Sequence, residues 1–213
     1  LSVPQTLEKL IAAPINLRES LLEMIQVETE SAARGNSAAI TAKVNSLVDK
    51  EIIDALYLAS QAGVKIQLNI RGICCLVPGK KGLSENIRVI SVVDRFLEHA
   101  RIFHFHHGGD ERIFISSADW MGRNLDRRIE LMVPVLDKNC KSRLIKILRT
   151  YFDDNLAATE LQSNGDYVPV TKNRKKKDFR SQLHLHQEAC QIHSAQTNPK
   201  HTVFEPHRGE SPD

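Results

Sequence analysis

The sequence predicts an α/β fold, a layered sheet of mixed strand direction flanked by helices. Two observations carry that prediction. Segments with strand-like and helix-like apolar spacing alternate along the chain, which favours at least some parallel strand pairing. Apolar residues also make up 41% of the 213 positions, enough to fill a packed core.

Each element follows from local spacing. From Asn16 to Ala33, apolar Leu17, Leu21, Leu22, Ile25 and Ala32 recur on one helix face, and Arg34-Gly35 ends the run. Ile40 to Val48 opens with alternation, Ile40, Ala42 and Val44 against Thr41, Lys43 and Asn45, so a strand is expected at its start. Lys50 to Ala62 returns to helical spacing, with Asp49 as N-cap and Gly63 as stop. Val64 to Ile70 reads as a second strand, and Gly72 to Glu85, with Pro78, Gly79 and Gly82, as a loop. Ile87 to Val93 is ambiguous: it carries β-branched residues, yet it is continuous with a helix through Phe96 and Leu97. Arg101 to His106 and Arg112 to Ser116 make a hairpin around His107 to Asp110. Ile129 to Val135 is another strand and Lys138 to Phe152 an amphipathic helix. Beyond Asp166 the character changes. Residues 171–213 read as a basic tail, helical over about Asp178 to Ala195 and then polar, Pro-containing and without stable order. Residues 1–13 read as the remnant of a preceding domain or linker, leaving 14–170 as the domain itself.

Composition excludes several classes. No apolar run approaches the roughly 20 residues that span a bilayer, and no export signal is evident. Cys74, Cys75, Cys140 and Cys190 fit neither a disulfide framework nor a zinc pattern, which favours reduced thiols in a cytoplasm. A formal net charge of +3 is too small to argue for nucleic acid. Its distribution says more. Eight of the fifteen arginines lie between Arg71 and Arg128, where only Lys80 and Lys81 represent lysine. Arginine's planar fork suits phosphate or carboxylate, so an oxyanion ligand is one reading and surface ion pairing the other.

The strongest local feature is Phe96-Leu97-Glu98-His99-Ala100-Arg101 ahead of a hairpin that ends in Ile115-Ser116-Ser117-Ala118-Asp119-Trp120. A histidine at a helix-to-strand junction, with a cation two residues on, can act as nucleophile, acid or phosphate ligand, or can simply cap the helix. Arg101 would neutralise charge on a transferring group, and the serine turn would offer hydroxyls and backbone N–H groups. His104 and His106 share a strand face but lack a third ligand, and His186, Cys190 and His193 lack a fourth, so no metal site is expected. Lys80-Lys81 lacks the ending of a P-loop. Arg174 to Lys177 either guides a polyanion or forms a solvated helix end, and Trp120 is either core or a base-stacking platform.

Ordered blocks then resemble one family. Asn69-Ile70-Arg71-Gly72-Ile73-Cys74-Cys75-Leu76, Leu83-Ser84-Glu85-Asn86-Ile87-Arg88 and Phe96-Leu97-Glu98-His99 are similar to successive blocks of the polyphosphate kinases. So are Gly108-Gly109-Asp110, Ser116 to Met121, Arg123-Asn124, Arg128-Ile129-Glu130 and, earlier, Ile40 to Asn45 with Leu47 to Lys50. The likeness covers about Pro14 to Val170. It implies a last domain resembling half of a phospholipase D, within an enzyme that reversibly moves the terminal phosphate of ATP to inorganic polyphosphate. It also implies Mg²⁺, with ligands mainly outside this chain, and a phosphohistidine in the preceding domain that no position here matches. His99 matches a second essential histidine, and Arg71 a ligand of the nucleotide phosphates. Arg128 and Glu130 are candidates for the catalytic group, Glu130 orienting Arg128, while Arg123, Arg88, Lys43 and Asn45 are candidate phosphate ligands. His99-Ala100-Arg101 also resembles the His-x-Lys block of phospholipase D, with arginine in place of lysine, so that comparison carries fold further than reaction. The implied partners are ATP or ADP, polyphosphate, the other domains and further copies of the full-length enzyme, in the cytoplasm or peripherally at the inner membrane, with no nucleic acid. Two rivals stand: a phosphodiesterase half-site that works as a dimer, and a non-catalytic polyanion-binding module.

Overall fold

A computed structural model describes residues 10–170 and 177–196. Nine strands form one mixed sheet: β1 (Ile11–Ala13), β2 (Ala39–Val44), β3 (Lys65–Ile70), β4 (Ile87–Val92), β5 (Ile102–Phe105), β6 (Arg112–Ser116), β7 (Glu130–Pro134), β8 (Ala158–Leu161) and β9 (Tyr167–Pro169). Their order is β1-β7-β6-β5-β2-β3-β4-β8-β9, with β2, β3 and β4 parallel and the other neighbours antiparallel. Helices α1 (Leu17–Ala33) and α2 (Lys50–Gln61) pack together on one side. Their Leu17, Leu21, Ile25, Ile52 and Leu56 join Ile40, Ala42, Val44, Ile66, Leu68 and Ile70 in the main core. The other face is covered by α4 (Lys138–Asp153), over Ile90, Val92, Ile102 and Ile113, with α5 (Ser181–Gln196) beside it. A short helix, α3 (Gly122–Asp126), follows β6.

Local chemistry sets the ends. The Asp49 carboxylate accepts from the N–H of Ile52 at 3.2 Å and caps α2, as its position predicts. Gly63, at φ +101°, takes the left-handed conformation that lets the chain leave that helix. Asp137 caps α4 through the N–H of Cys140 at 2.8 Å.

Three expectations change. Ile87–Val92 is wholly strand, because parallel pairing with β3 meets its backbone groups, and the helix expected through Phe96 and Leu97 is absent. Ile11–Ala13, expected outside the domain, is an edge strand paired with β7, and Ala12 and Ala13 are buried. At the other end α5 is docked on the body rather than trailing from it, with Ser181 and Gln182 buried. Arg174 to Lys176 of the basic run and the stretch 197–213 lie outside the described residues.

Candidate functional site

The antiparallel register of β5 on β2 brings the start of one strand to the end of the other, Ile102 opposite Lys43. The same edge therefore collects the C-terminal ends of β2, β3 and β6 and the N-terminal ends of β5 and β7. A polar cavity of about 440 Å³ opens there. Its wall holds Arg71, Arg101, Arg123 and Arg128 with His99, against two carboxylates, Asp119 and Glu130.

Arg71 leaves the end of β3 and donates to Asn45 Oδ1 through Nε at 3.2 Å and Nη2 at 3.0 Å. Its approach depends on the next residue. The N–H of Gly72 bonds to the carbonyl of Asn45 at 2.7 Å, and a Cβ at position 72 would lie 2.8 Å from that oxygen. Asn45 passes the contact on. Its backbone N–H and its amide Nδ2 both donate to Asp119 Oδ1, at 2.7 and 3.2 Å. Asp119 in turn grips Arg101 with both oxygens, at 3.1 Å to Nε and 2.9 Å to Nη2. Burial alone would raise the Asp119 carboxyl, but the hydrogen bonds from Arg101 and Asn45 outweigh it and hold the group below the usual aspartate range.

The remaining arm of Arg101 reaches His99, Nη1 lying 3.3 Å from Nδ1 and 3.2 Å from the carbonyl oxygen. A guanidinium only donates, so Nδ1 is the acceptor and the neutral ring carries its proton on Nε2. His99 is exposed at the cavity rim, so this N–H is open to a ligand. Arg71, Arg123 and Arg128 are different from Arg101. Among the described residues no carboxylate forms an ion pair with any of them, so three guanidiniums face the cavity with their charge uncompensated by a partner.

The structure thus brings together Arg71, His99, Asn45, Arg123, Arg128 and Glu130. It separates two other candidates. Arg88 pairs with Glu160, 2.8 Å from Nη2, and lies over the Phe152 ring, because β8 runs alongside β4 there. Lys43 is almost fully buried and does not line the cavity. It donates to the carbonyl of Ala100 at 3.2 Å and sits 3.6 Å from Glu98 and over the Tyr151 ring. Burial lowers its pKa, opposed by Glu98 and assisted by Arg71 and Arg101.

Two expected roles also shift. Glu130 does not orient Arg128: its oxygens are taken by the Ser117 hydroxyl and by Asn124 Nδ2, the latter at 2.6 Å. Arg101 is committed to Asp119 rather than free for a transferring group. His99 lies in an irregular segment, so the helix-capping alternative lapses. Trp120 is wholly buried against Phe103, their centroids 5.2 Å apart, which makes it core. Sequence reasoning passed over Asp119 as a ligand organiser and Asn124 as Glu130's partner. The only signal was an acid just past one hairpin strand and an arginine just before the other. Among the described residues no three or more His, Cys, Asp or Glu side chains converge to hold a metal.

A family model described as "Polyphosphate kinase C-terminal domain 2" matches residues 10–182. The polyphosphate kinase of Rhodopirellula baltica is 51% identical over 207 residues, covering 97% of this chain and 24% of that protein. The crystal structure of polyphosphate kinase from Porphyromonas gingivalis superposes with a TM-score of 0.86 at 41% identity, over 91% of this chain and 30% of that one. Nuc of Salmonella typhimurium, a phospholipase D family member, shares the fold at a TM-score of 0.51 and 12% identity, over 73% of this chain and 97% of that one. The chain spans about a quarter of the length of the curated relatives it matches.

Proposed function

The chain belongs to the polyphosphate kinase family, and from that premise we propose that it forms one wall of an active site for reversible phosphate transfer between ATP and inorganic polyphosphate. The observation that carries the reading is the cavity itself: Arg71, Arg123 and Arg128 face it without a carboxylate partner among the described residues, beside an open His99. Phosphoryl transfer asks a protein chiefly for positioning and charge neutralisation, and an uncompensated cluster of guanidiniums is suited to both.

In this reading Arg71, Arg123 and Arg128 bind phosphate oxygens, and His99 offers its Nε2 proton to the group in flight. Asp119 and Arg101 act behind it, fixing the tautomer and angle of the ring. Glu130 holds Ser117 and Asn124 in place at the wall. The residue that carries phosphate covalently would be a histidine of another domain. The family implies Mg²⁺, but these carboxylates do not fit it: the oxygens of Asp119 and Glu130 are already occupied by donors and stand among arginines.

Labelled ATP tests the assignment. The 213-residue chain alone should take up no stable label and make no polyphosphate. In a family-length enzyme His99→Ala should abolish transfer. Stable label on the chain would overturn the role of His99 as helper. Cleavage of a phosphodiester by the chain, lost in His99→Ala, would favour a dimeric diesterase instead. Polyphosphate binding that survives His99→Ala and Arg71→Ala but is lost when Lys175 to Lys177 are neutralised would favour a binding module.

A further inference from the structure

We infer that the first turn of α5 is a clip that presets His99, with Gln182 as its positioning residue. The inference rests on the reading of His99 given above.

Residues 93–100, between β4 and β5, have no regular secondary structure, so sheet and helix do not satisfy their backbone groups. One buried side chain takes up part of that burden. Gln182, 5% exposed, accepts from the N–H of Phe96 at 2.8 Å and donates to the carbonyl of the same residue at 2.8 Å. A strand neighbour would make the same pair of bonds. Its amide nitrogen also donates to Glu98 Oε1 at 3.0 Å. The other oxygen of Glu98 accepts from the Tyr151 hydroxyl at 2.8 Å, and Lys43, beside it, holds the carbonyl of Ala100. Both neighbours of His99 are therefore tied down, while among the described residues the side-chain bonds of His99 itself go to Arg101. Farther back, Arg180 Nε donates to Asp94 at 2.7 Å.

A clip must itself be anchored, and this one is. The backbone N–H and hydroxyl of Ser181 both donate to Asp154 Oδ2 at 2.7 Å. Asn155 completes the joint, accepting from the N–H of Phe179 at 2.9 Å and donating to the carbonyl of Lys177 at 3.0 Å. The path runs from the end of α4, through Asp154 and Ser181, to Gln182, Phe96 and Glu98, and so to His99. Gln182 is absent from the cavity wall, so it can act on the reaction only through the geometry of that loop. A displacement of about 1 Å in a catalytic group can cost about a hundredfold in rate.

Gln182→Met keeps the volume and removes the three hydrogen bonds. Amide exchange in the 213-residue chain should speed at residues 94–100 and stay unchanged in β2 and β3. In a family-length enzyme, kcat should fall roughly tenfold to a hundredfold while KM for ATP stays within about twofold, because His99 acts in the transfer step. Gln182→Asn, one methylene short, should behave the same way and stands in if the first variant does not fold. Unchanged kcat in both variants, with His99→Ala inactive, would overturn the clip and leave the His99 reading intact. An active His99→Ala would overturn both. An equal rise in KM would mean that Gln182 shapes ground-state binding, and the positioning role would fall.

Discussion

Asp119 lies just past the end of β6 with both oxygens engaged, Oδ1 by Asn45 and Arg101 and Oδ2 by Arg101. Replacing it with alanine leaves a guanidinium in a largely buried position without its partner, a loss of about 3–5 kcal/mol by the usual cost of breaking such pairs. Chemical denaturation of Asp119→Ala should show it. The pH dependence has a definite sign. The folded-state carboxyl is held below the ordinary aspartate range, so as pH falls the unfolded chain takes up the proton first. The stabilisation is complete above about pH 4 and is lost as pH falls through the folded-state value; stability curves of the parent and of Asp119→Asn should converge there. Gly72 makes a second prediction at this scale. A methyl group at that position would meet the Asn45 carbonyl at 2.8 Å, and backbone on both sides must give way. Gly72→Ala should cost about 1–3 kcal/mol and weaken pyrophosphate binding, read by calorimetry, because Arg71 moves with the backbone.

The α4–α5 joint is the element whose loss should be felt at a distance. Asp154, 1% exposed, accepts from the N–H groups of Leu156, Ala157 and Ala158 with one oxygen and from Ser181 with the other. It closes the turn after α4 and starts α5 with one carboxylate. Burial opposes its ionisation, yet Ser181 and these backbone donors prevail and lower its pKa. Asp154→Ala should therefore cost about 2 kcal/mol, as losing a strong cap does, and should expose α5 to limited proteolysis before the sheet unfolds. The joint weakens as pH falls, for the reason that applies to Asp119, so α5 should become protease-sensitive at acid pH while β2 and β3 remain protected.

Across the whole molecule, the arginines of the cavity come from segments far apart in sequence and meet only because the sheet is mixed. Their charge makes a prediction of its own. The proposed binding of polyphosphate should weaken steeply as salt shortens the screening length from about 10 Å at 0.1 M to about 3 Å at 1 M, and Arg123→Ala with Arg128→Ala should flatten that dependence. Unchanged salt dependence in the double variant would remove both from the binding surface. Much was legible in the chain itself. Apolar spacing marked α1, α2, α4 and the hairpin of β5 and β6, Asp49 announced a cap, and the ordered blocks singled out Arg71 and His99 as candidates, which line one cavity. These are local properties, set by which side chains fall on one face. Ile87–Val92 was not decidable locally, because its strand exists through β3 and β8 on either side. Nor could spacing say that Glu130 serves Ser117 and Asn124, that Arg88 belongs to Glu160, or that Lys43 is buried away from the cavity wall. A charge's partner depends on strand register and on what buries it, and both are fixed only when distant segments meet.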